Sequence, residues 1–146
     1  MDAKRLAVAA VVAWVVDSIY AFLVFGMALQ NQIGRYPAVF RSPEAMSATM
    51  PLMFASSLIA MFIVAYIFAK GHDGGSGLRE GLRFGFVFGA FSLFGIAIPN
   101  YAVYNYGRRL AAETAVAAFI EMVLMGAVLG LVYKPSMRAA RRAAAV

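Results

Sequence analysis

The chain has 146 residues, of which 63% are hydrophobic and 14% charged, and a formal net charge of +6. Soluble domains carry roughly 45–50% apolar residues, so this balance excludes a disordered chain and argues against a water-soluble globule. With no cysteine and a single histidine, His72, the chain cannot form disulfides, thiolate metal centres or cysteine nucleophiles, nor a multi-histidine metal or bis-histidine haem site by itself.

The first apolar run, Leu6–Leu29, holds one charge, Asp17. Lys4 and Arg5 precede it as in a secretory leader, but the run continues past Asp17 and reads as a span. In the long loop Gln30–Thr49, Ser42-Pro43-Glu44 has the form of an N-cap, a proline at the first helical position and an acid in the first turn. The second helix is therefore predicted to begin near Pro43 and to bend at Pro51. The second run, Met50–Ala69, and the third, Phe84–Tyr104, carry no charge.

Between them, Lys70–Gly77 is a glycine-rich turn containing His72, which is expected to be solvated. A phosphate cradle at the start of the third helix is the weaker reading, because the P-loop lysine spacing and a preceding strand are missing. The fourth run, Leu110–Tyr133, contains Glu113 and Glu121.

Each run is long enough to cross a hydrocarbon core of roughly 30 Å at about 1.5 Å per residue. Helices also satisfy every backbone group where lipid offers no partner. The predicted fold is a single all-α domain over residues 1–146, an integral membrane four-helix bundle with spans near 6–29, 50–69, 84–104 and 110–133.

Lys4, Arg5, Lys70, Arg79, Arg83, Lys134, Arg138, Arg141 and Arg142 flank the spans on one side, and Arg35, Arg41, Arg108 and Arg109 on the other. This bias predicts both termini and the middle loop in the cytoplasm. It also accounts for the pI of 10.0 without a nucleic-acid partner. Arg79, Arg83 and the tail cations Lys134, Arg138, Arg141 and Arg142 are expected to meet lipid headgroups. In a helical tail the last four form one stripe, stabilised by about 1 kcal/mol per cation at an anionic leaflet.

The stretch Ala65-Tyr66-Ile67-Phe68-Ala69-Lys70-Gly71, with Gly77-Leu78-Arg79-Glu80-Gly81-Leu82-Arg83-Phe84-Gly85 after it, resembles a pattern in small uncharacterised bacterial four-span membrane proteins. The resemblance covers the second span, the loop and the start of the third span. It implies a tetraspan protein of the bacterial inner membrane and transfers no functional residue.

Gly81, Gly85 and Gly89 recur every four residues on the third span, as do Gly126 and Gly130 on the fourth. Such spacing lets helix backbones approach in lipid. The first stripe is expected inside the bundle, and the second is available to a partner subunit. Pro99 removes a donor late in the third span, and Asn100 stands beside it. Together with Ser18, these residues are candidates for a polar kink or cavity lining.

Asp17 and Glu121 are the most informative residues. Asp17 lies about 18 Å of helix beyond Arg5, and Glu121 about 18 Å beyond Arg109, on helices entering from opposite sides. Both acids therefore fall near the midplane, where an ionised acid costs at least roughly 2.5 kcal/mol. No lysine or arginine shares their depth, so the offset must come from protonation, a shared proton, a bound cation, a hydrated cavity or a polar partner on another subunit. Glu121 is rotated about 140° from Gly126, so acid and glycine occupy different faces.

Three roles are compatible with these residues. The first is a non-catalytic accessory or scaffolding subunit packing against membrane proteins and lipids, as a homo-oligomer or within a larger complex. The second is an oligomeric proton- or cation-coupled transporter or channel using Asp17 and Glu121. The third is a membrane enzyme using the same acids as an acid/base pair. The sequence leads to the first as the primary expectation, with no catalytic residue, metal or cofactor.

Overall fold

The computed structural model describes residues 2–72 and 75–133, so the expected basic stripe at Lys134, Arg138, Arg141 and Arg142 lies outside the described residues. The described chain is all-helical, with four helices long and apolar enough to cross a membrane: α1 (Ala3–Ala28), α2 (Pro43–Lys70), α3 (Gly77–Val103) and α4 (Arg108–Val132). A single turn, Gln30–Ile33, follows α1.

Local chemistry sets the helix starts. The Asp2 carboxylate accepts the backbone N–H groups of Lys4 and Arg5, which extends α1 ahead of the apolar run. Ser42 Oγ accepts the Ala45 N–H at 3.3 Å, and α2 begins at Pro43. The helix runs unbroken through Pro51.

Two segments widen into π-helix: Phe22–Ala28 at the end of α1, and Leu93–Ala97 within α3. The second lies just ahead of Pro99, where a proline ring crowds the preceding turn.

Helix α1 lies between α2 and α4, and α3 packs chiefly against α4. The spatial order is thus α2–α1–α4–α3. Helices α2 and α3 approach at Phe68 and Phe84, whose rings meet edge to face at 5.3 Å. Ala9, Ala10 and Ala13 form a fully buried small-residue face on α1. Met61 and Ala65 of α2, and Met125 and Leu129 of α4, close on that face. This core occupies the end of the bundle where α1 begins and α2 and α4 finish. Beside it, the Trp14 indole N–H donates to Ser57 Oγ at 2.9 Å.

The two glycine stripes face each other. A Cβ on Gly85 would lie 2.5 Å from the Met122 carbonyl oxygen and 2.8 Å from Val123 Cα. One on Gly126 would lie 2.6 Å from Gly85 Cα, and one on Gly89 would meet the Phe119 ring at 2.9 Å. The Gly126/Gly130 face is therefore occupied by α3 of the same chain.

His72 departs from expectation. Its side chain is only 2% exposed. The ring stacks on Phe68 at 5.5 Å and meets Tyr133 at 5.9 Å. Its Nδ1 contacts Glu80 Oε2, while Glu80 Oε1 accepts the Gly75 N–H at 2.6 Å. Glu80 thereby takes up the Gly75 N–H, one of the backbone donors of that loop. His72 fixes the α2–α3 turn onto the aromatic end of the core. His72→Ala removes the stacking and one partner of Glu80, and is expected to destabilise the bundle by about 1–3 kcal/mol in detergent unfolding.

Candidate functional site

The site begins with two acids from different helices. Asp17 lies in the middle of α1 and Glu121 in the middle of α4, and the packing of these helices brings the two carboxyl groups close enough to interact. Both side chains are half-buried. A carboxylate only accepts, so a direct contact between the two groups would need a proton or a cation between them. A fully ionised pair would place two like charges side by side in the hydrocarbon region, which is strongly disfavoured.

One turn further along both helices, Tyr20 of α1 donates from its hydroxyl to the Ala117 carbonyl at 2.8 Å. The carbonyl it engages belongs to the turn preceding Glu121, so the phenol bridges α1 and α4 beside the pair. In the sequence Tyr20 stands simply three residues after Asp17. Nothing in the sequence marks a backbone carbonyl on a distant helix as its partner.

Beyond Tyr20, a groove of ≈ 580 Å³ opens between α1 and α4. Tyr20 and Ala117 stand at its inner end, Val24 and Val116 along its sides, and Glu113 near the start of α4. Arg109 Nε donates to Glu113 Oε1 at 2.7 Å. Glu113 Oε2 is buried and has no hydrogen-bond partner among the described residues. Glu113, Ala117 and Glu121 follow at i, i+4 and i+8, so one stripe of α4 connects the mouth of the groove with the carboxyl pair.

The other predicted residues fall elsewhere. Ser18 makes no side-chain hydrogen bond among the described residues. Pro99 and Asn100 are exposed at the far end of α3. A second cleft there is lined by Ile98 and Tyr101, which share a face at i and i+3, and Asn100 is not among its lining residues. Arg79 and Arg83 are exposed in the first turns of α3. No group of three or more histidine, cysteine or acidic residues is placed to hold a metal among the described residues. Outside the spans, burial and then the neighbouring Tyr104 push the Tyr106 phenol above its ordinary range.

Four long apolar helices packed this way define a small tetraspan membrane protein, with an acid at mid-length on each of two neighbouring helices. The chain belongs to the family described as protein of unknown function DUF1761, whose model matches residues 5–130. No curated protein and no solved structure matches the chain.

Proposed function

We propose that this protein handles protons or small cations within the membrane, acting as an oligomer in the bacterial cytoplasmic membrane with both termini on the cytoplasmic side. The proximity of Asp17 and Glu121 across the packed α1 and α4 carries this reading. Two acids on separate helices have no structural need for one another in lipid, and a facing pair kept there can hold a proton or a cation between its oxygens. Tyr20 is the positioning residue that ties the groove to the pair, and the cation bias of the loops supports the orientation.

The accessory-subunit role is the second reading. Its support is the open edge of the bundle, where α2 packs chiefly on α1. The glycine stripes no longer favour it, because α3 and α4 use them on each other.

Liposome flux distinguishes the two readings. Purified protein is reconstituted with a pH-sensitive dye inside, a potassium diffusion potential is imposed, and proton and sodium gradients are tested in turn. Wild type is expected to carry one of these ions. Asp17→Asn and Glu121→Gln are expected to lower the rate by at least about tenfold, the scale of one lost charge-assisted contact. Flux that is absent in wild type, or unchanged in both variants, overturns the proposal in favour of the accessory role.

A further inference from the structure

Helices α3 and α4 touch closely at the glycine end and separate at the other. The separation coincides with the π turn Leu93–Ala97 on α3 and with Ala111, Ala112 and Ala115 on α4, whose short side chains do not fill the gap. The result is a cleft of ≈ 250 Å³ whose walls are aliphatic apart from Tyr101 and Arg108.

Arg108 is the first residue of α4, at the level where a span meets headgroups. It has no ion pair or hydrogen bond among the described residues, in contrast to Arg109, which is held by Glu113 on the α1 side of the same helix. The Tyr101 hydroxyl likewise has no hydrogen-bond partner among the described residues. The cleft therefore combines an apolar trough at acyl depth with a cation and a phenol at headgroup depth.

We infer that this cleft seats one anionic glycerophospholipid. One acyl chain would lie against Leu93, Ala97, Ala111 and Ala115, with the phosphate engaged by Arg108 and Tyr101. Charge complementarity selects the occupant. A zwitterionic lipid presents the same chain but sets a choline cation beside the guanidinium, whereas an anionic headgroup leaves the phosphate to form a charge-assisted pair. This assignment is independent of the carboxyl pair, which lies on the α1 side of α4.

The test is native mass spectrometry of the full chain released from nanodiscs containing equal amounts of phosphatidylglycerol and phosphatidylcholine. Wild type is expected to retain one phosphatidylglycerol. Arg108→Gln is expected to reduce its occupancy relative to phosphatidylcholine by about tenfold, while Arg41→Gln, a loop cation at the same end, leaves it unchanged. Ala115→Leu fills the trough and is expected to release both lipids. If that variant fails to fold, Arg108→Gln still decides the matter. Equal retention of the two lipids by wild type, or equal loss in Arg108→Gln and Arg41→Gln, overturns the assignment and leaves only a general lipid annulus.

Discussion

Gly126→Val is expected to be the most damaging single apolar substitution in the bundle. Even a Cβ at this position would lie 2.6 Å from Gly85 Cα and from Gly85 N, which are backbone atoms that cannot rotate away. The helices must therefore separate, and α3 loses the contact that holds it, since α4 is its principal neighbour. Overpacking a tight contact costs about 1–3 kcal/mol, and a branched residue against backbone belongs at or above the upper end. Unfolding by sodium dodecyl sulfate in mixed micelles measures the loss. Gly26→Ala is the control: its Cβ would come no nearer than 3.4 Å to the Phe22 ring, and it is expected to be close to neutral. Equal stability of Gly126→Val and Gly26→Ala would mean that the α3–α4 contact is looser than described.

The second large effect concerns the acids. The double variant Asp17→Val/Glu121→Leu is expected to be more stable than wild type by about 2 kcal/mol or more, because two polar groups leave the hydrocarbon region together. Each single variant is expected to gain much less, or to lose stability, since the remaining acid keeps its desolvation cost without its partner. The same unfolding assay gives the coupling as the departure from additivity. Additive singles would show that the carboxyl groups do not interact. A stabilised double variant that no longer carries ions would mark the pair as retained for activity at the expense of stability.

Much of the architecture was legible in the chain because lipid imposes a simple rule. Backbone groups must be satisfied internally, so long apolar runs become helices. The start of α2 was equally readable, since Ser42 and Pro43 act through their own local geometry. His72 was not. Its isolation in a glycine-rich turn predicts solvation, and only the arrival of Phe68, Tyr133 and Glu80 from three parts of the chain buries it. The Gly126/Gly130 stripe was recognisable as a contact surface, but its partner was not, because small-residue spacing states that a helix approaches and does not say which one.

The candidate site divides along the same line. The sequence alone determined the four apolar helices and the places of Asp17 and Glu121 midway along two of them, which follow from hydropathy and the rise of a helix. Only the tertiary structure decided that α1 stands beside α4, that the two acids come close to one another, and that Tyr20 bridges to Ala117. Depth is a property of position along one helix. Contact depends on the rotation and order of separate helices, which the packing of alanine and glycine faces selects and no single segment encodes.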